Sequence, residues 1–185
     1  MTTGFDGGLS IDIVAASAGN SNRSNDQQSP MSSPGESNVD REPYSIFVVE
    51  DNRADVFLLR EALQYAGVRA DLRIATDGER AIAVIDEIEA DIETACPALL
   101  ILDLNLPKIP GSEVLEHLRK GGKCRQIPVL IVSSSDSDED RTRTAQLGAD
   151  RYFRKPSGYD EFLKVGEVVR DMLESNPVEE PSSSR

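Results

Sequence analysis

The chain has no tryptophan, one histidine, two cysteines and only 5% aromatic residues among its 185. A single histidine cannot assemble an imidazole metal site, and His117, in the charged run Glu116-His117-Leu118-Arg119-Lys120, is expected on a solvated helix surface. Cys96 and Cys124 stand alone, without a Cys-x-x-Cys pair, so they are expected to be incidental thiols of a reducing compartment. No apolar run approaches the roughly 18 residues of a membrane span. No basic residue precedes Arg23, and Asp12 interrupts the nearest apolar patch, which argues against a secretory signal and for the cytoplasm. Positive charge is scarce too: 20 Lys and Arg face 33 Asp and Glu, for a net charge of −13. Without a basic cluster to track phosphates, direct nucleic-acid binding is disfavoured. The Gly-rich loops that cradle nucleotide phosphates are missing as well, which ranks a flavin or nucleotide binder last.

What is present divides the chain in three. Residues 1–42 are rich in Ser, Asn, Gly, Gln and Asp without sustained periodicity, and are expected to be a disordered tail. Residues 43–174 carry the folded domain, and 175–185 a short C-terminal tail. Within the domain, strand-like and helix-like segments alternate. Strands are expected at 45–49, 71–75, 98–102, 128–132 and 151–153. Helices are expected from about Ala54 to Gly67, over Ala81, Ile85, Ile88 and Ile92, from Ser112 to Gly121, from Asp138 to Leu147, and from Tyr159 to Leu173. Asp51 or Asn52 can cap the first helix. The acids Asp136, Asp138, Glu139 and Asp140 suit the dipole at the start of the fourth. Five such units in series specify an α/β fold, a flavodoxin-like (βα)5 doubly wound parallel sheet of strand order 2-1-3-4-5.

The apolar runs end on polar groups. Leu99-Leu100-Ile101-Leu102 ends on Asp103, Ile46-Phe47-Val48-Val49 on Glu50 and Asp51, Val129-Leu130-Ile131-Val132 on Ser133, and Tyr152-Phe153 on Arg154 and Lys155. In parallel strands all of these meet at one sheet edge, at the switch point where open α/β folds place their sites. Any one of them could merely cap the next helix. The whole set, each on its proper strand end, points to chemistry. Three carboxylates need a cation between them, and hard oxygen ligands suit Mg²⁺. Asp103 could then attack phosphorus, with the metal, Lys155 and Ser133 neutralising the transferring oxygens. The Lys155–Pro156 bond is a candidate cis peptide.

These residues resemble a known family. Ile46-Phe47-Val48-Val49-Glu50-Asp51-Asn52, Leu100-Ile101-Leu102-Asp103-Leu104-Asn105-Leu106-Pro107 with Gly111, Val132-Ser133-Ser134, and Tyr152-Phe153-Arg154-Lys155-Pro156 look like the motif set of two-component response-regulator receiver domains. Glu50 stands where Asp is commoner, and Ser133 where Thr is commoner. The resemblance implies that Asp103 is the phospho-acceptor. It implies that Glu50, Asp51 and Asp103, with the backbone carbonyl of Asn105, hold Mg²⁺. Ser133 and Lys155 would bind the phosphoryl group, and Ser133 and Tyr152 would act as the switch pair. The partner implied is a sensor histidine kinase, and the run Val49 to Asp55 looks most like stand-alone regulators paired with phytochromes. Such relatives also suggest a homodimer and output through the fourth helix, fifth strand and fifth helix. A haloacid-dehalogenase-type phosphohydrolase is the alternative, but it wants a second Asp where this chain has Asn105.

Overall fold

The computed structural model describes residues 42–176. Its order is β1 (Tyr44–Val49), α1 (Arg53–Tyr65), β2 (Ala70–Ala75), α2 (Gly78–Ala90), β3 (Leu99–Leu102), α3 (Gly111–Lys120), β4 (Val129–Ser133), α4 (Asp138–Gln146), β5 (Arg151–Arg154) and α5 (Tyr159–Ser175). The five strands form one parallel sheet in the expected order β2-β1-β3-β4-β5. The expected tails, 1–42 and 175–185, lie outside the described residues except at their inner ends. There α5 runs on to Ser175, and Asn176 caps it.

The central strands are apolar through Ile46–Val49, Leu99–Leu102 and Val129–Val132 because both faces are covered there. Ile46, Val48, Leu99, Ile101, Leu130 and Val132 face α1 and α5, meeting Leu59, Leu63, Phe162, Val165, Val169 and Met172. Phe47, Val49, Leu100, Leu102, Val129 and Ile131 face α2 and α3, meeting Ala81, Val84, Ile85, Val114, Leu115 and Leu118. Helices α1 and α5 pack tightly enough that a Cβ on Gly166 would run into the carbonyl of Ala62.

Three sequence expectations are corrected. Ile92 does not continue α2: the helix stops at Ala90, and Ile92 is 88% exposed in the following loop. No cis peptide bond occurs among the described residues, so the Lys155–Pro156 bond is trans. Cys96 and Cys124 are not separate thiols but a disulfide, with Cα atoms 5.5 Å apart. It joins the α2–β3 and α3–β4 loops, which the parallel topology places side by side. Glu89 ties the same two loops by accepting from the backbone N–H groups of Lys123 and Cys124. Lys123 Nζ completes the tie by donating to the carbonyls of Asp91 and Thr94.

Candidate functional site

The site lies where β1 and β3 end side by side. The N–H of Glu50 still bonds across to the Ala75 carbonyl, and that of Asp103 to the Val49 carbonyl, so both acids leave the sheet from fixed backbone. Chain direction then changes at once. Asn52 caps α1, its side chain accepting from the N–H of Ala54, which places Asp55 in the first helical turn. After β3 the loop through Lys108, whose φ is 68°, folds back, and the N–H of Gly111 bonds the Leu104 carbonyl. A Cβ on Gly111 would collide with the Asp103 carbonyl, so only glycine permits this return.

Lys155, leaving β5, reaches across the edge. Its ammonium lies 2.6 Å from Glu50 Oε2, 2.7 Å from Asp103 Oδ2 and 2.8 Å from Asp55 Oδ2, with its side chain only 10% exposed. The other oxygens of the buried acids take backbone donors: Glu50 Oε1 from Asn52 and Asp103 Oδ1 from Asn105, each at 3.1 Å. Ser133 is fully buried at the end of β4. Its carbonyl accepts from the N–H of Lys155, and its hydroxyl accepts from Ser135 at 3.3 Å and from the Asn105 amide at 3.5 Å. Tyr152 is half-buried on β5. Its hydroxyl donates to the Ser135 carbonyl at 3.1 Å, and the Arg141 guanidinium sits 4.5 Å from its ring centroid.

Thus Glu50, Asp51, Asp103, Asn105, Ser133 and Lys155 are brought together as expected, with Tyr152 linked to the Ser133 loop through Ser135. Asp55 was not foreseen as part of the site. Its signal was available, an acid in the turn directly after the first strand end, but helical periodicity draws attention to apolar positions. His117 lies at the surface, as expected, its Nε2 2.7 Å from Asp86.

The charges do not balance. One ammonium meets Glu50, Asp55 and Asp103, and Asp51 adds a further carboxylate beside Glu50 and Asp103. Ligand oxygens of Glu50, Asp51 and Asp103 all lie within 4.8 Å of one another, a hard-oxygen set that fits a small divalent cation after modest closure. Beneath them Val48, Leu59, Ile101, Val132 and Phe162 form an apolar floor. Burial there pushes the Glu50 carboxyl up to about 7, against the pull of Lys155. Burial opposes the Lys155 charge as well, but its bonds to Asp103, Asp55 and Glu50 outweigh that and hold it above the ordinary ammonium range.

The family model for the response regulator receiver domain matches residues 46–166. The chain belongs to that family. Among curated relatives, this receiver domain is 29% identical over 130 residues to the probable methanogenesis regulatory protein FilR2 of Methanothrix harundinacea, covering 70% of this chain and 83% of that one. It is 31% identical over 123 residues to the response regulator Rcp1 of Synechocystis, covering 66% and 84%. The solved Mn²⁺-bound form of Rcp1 superposes with a TM-score of 0.64 at 28% identity, over 76% of this chain and 100% of that one. The phosphorylated cyanobacterial phytochrome response regulator RcpA gives 0.65 at 29% identity, over 74% and 98%. A receiver domain is a component of a two-component system. No helix among the described residues is long and apolar enough to cross a membrane.

Proposed function

We propose that this chain is a response-regulator receiver domain that accepts a phosphoryl group on Asp103 from a sensor histidine kinase. The observation that carries the reading is Asp103 itself: a buried acid at the end of a central strand, held by one ammonium and gathered with two further acids. A carboxylate oxygen of Asp103 attacks phosphorus, the bond from phosphorus to the donor's imidazole nitrogen breaks, and an acyl phosphate forms. Lys155 pairs with one of the transferred oxygens, and the Ser133 hydroxyl, by turning, donates to another. Glu50, Asp51 and Asp103, with the Asn105 carbonyl, would hold Mg²⁺, which would neutralise charge on the phosphoryl oxygens. Asn105 offers no carboxyl for the acid/base step of a phosphohydrolase, which favours the regulator over that alternative.

Output runs through Ser133 and Tyr152. Ser133 and Ser135 share one short loop, so a phosphate that draws the Ser133 hydroxyl also disturbs the carbonyl to which Tyr152 bonds. This biases the face formed by α4, β5 and α5. The likeness to the cyanobacterial phytochrome response regulator RcpA supports a phytochrome-type kinase as partner. We place the chain in the cytoplasm, with a homodimer as one assembly open to it and no direct contact to nucleic acid.

The test is intact mass after incubation with Mg²⁺ and a small phosphodonor. Wild type should gain one phosphoryl group and Asp103→Asn none. Full labelling of the variant would move the acceptor elsewhere and overturn the reading.

A further inference from the structure

An ammonium has three N–H donors and no acceptor. Lys155 directs one to each of three carboxylates, on Glu50, Asp55 and Asp103, at closely similar distances of 2.6 to 2.8 Å. Those three acids are not equivalent. Glu50 and Asp103 belong to the group whose oxygens converge with Asp51 on a cation position, and Asp55 does not. Any charge Lys155 spends on Glu50 and Asp103 competes with a divalent ion for the same two carboxylates. Charge spent on Asp55 does not compete.

Asp55 is also mechanically separate from the other two. They project from strand ends β1 and β3, while Asp55 belongs to the first turn of α1, where the helix dipole stabilises an acid. That helix is clamped against α5, so Asp55 offers Lys155 a fixed partner on the flank of the site. When a cation occupies the edge, it is the one carboxylate left to hold the lysine within the cluster, beside the phosphoryl group it must meet.

We propose that Asp55 is a positioning residue: it anchors Lys155 to α1 and so frees Glu50 and Asp103 to take the divalent cation. The inference rests on the metal site proposed above and adds to it a residue that acts only through the lysine. Losing Asp55 turns the whole charge of Lys155 onto two metal-binding carboxylates. Cation affinity therefore falls even though no ligand has been removed.

The test is a double-mutant cycle read by calorimetric titration of Mg²⁺ into the full, unphosphorylated chain. Asp55→Asn, nearly isosteric and at a partly exposed position, should weaken Mg²⁺ by about fivefold, within the range that charges in one network show. In a Lys155→Met background the same substitution should change affinity by less than about twofold. An equal loss in both backgrounds would mean that Asp55 attracts the cation directly and would overturn the anchor. Unchanged Mg²⁺ affinity alongside a lowered urea midpoint would reduce Asp55 to a structural role and overturn it as well. In either case the metal site itself stands. No Mg²⁺ binding by wild type would instead remove the site reading, and the anchor with it.

Discussion

Helices α2 and α4 are joined to the same sheet but held in opposite ways. Helix α2 buries Gly78, Ala81, Val84, Ile85 and Ile88, an apolar stripe pressed on Phe47, Val49 and Leu100. Helix α4, Asp-Glu-Asp-Arg-Thr-Arg-Thr-Ala-Gln, buries only Thr144. Polar contacts do its holding. Ser137 caps it, Ser135 bonds Asp140, the Thr144 hydroxyl returns to the carbonyls of Asp140 and Arg141, and Arg141 lies over Tyr152. Each such contact is worth about 1 kcal/mol, whereas a buried aliphatic side chain is worth two or three times that. A segment held this way can shift for the energy of one new charge-assisted bond, and it begins at Asp138, shortly after Ser133. The dense half keeps the acids in place, and the loosely held half is free to respond.

The largest expected effect lies in the dense half. Ile85→Ala should cost about 2–5 kcal/mol in urea unfolding, and Thr144→Ala about 1 kcal/mol or less. Similar losses at the two positions would break the comparison. Next comes the disulfide. With its cysteines 28 positions apart in sequence, reduction should cost about 3–4 kcal/mol of stability on chain entropy alone, while amide exchange in α4 stays as it was. Faster exchange in α4 on reduction would show that the two halves are coupled.

A smaller effect concerns pH. The Glu50 carboxyl, raised from 4.5 to about 7, binds its proton more tightly in the folded chain than in the unfolded one. Stability without divalent ions should therefore fall as pH rises through that window. Mg²⁺ needs the ionised form, so its affinity should rise with pH and level off above about pH 7, with at most about a tenfold change per unit below it. Glu50→Gln should flatten the profile. A profile unchanged in that variant would place the titrating group elsewhere.

The sheet and the strand-end residues were legible because burial on both faces makes parallel strands read as unbroken apolar runs. A polar residue at the end of Leu99 to Leu102, or of Val129 to Val132, then stands out. What could not be read depends on distance across the fold. The Cys96–Cys124 pairing needs the two loops side by side, which spacing in sequence does not reveal. Asp55 looked like an ordinary helix-start acid until Lys155 arrived from β5. Ile92 carried the right residue type at the right interval, but α2 had already ended at Ala90.

Hydrogen exchange across residues 42–176, with and without phosphorylation by a small phosphodonor in Mg²⁺, tests the account most directly. Phosphorylation of wild type should change protection in α4, β5 and the start of α5, leave β1, β3 and α2 unaltered, and have no effect in Asp103→Asn. An identical exchange pattern in phosphorylated and unphosphorylated wild type would contradict it.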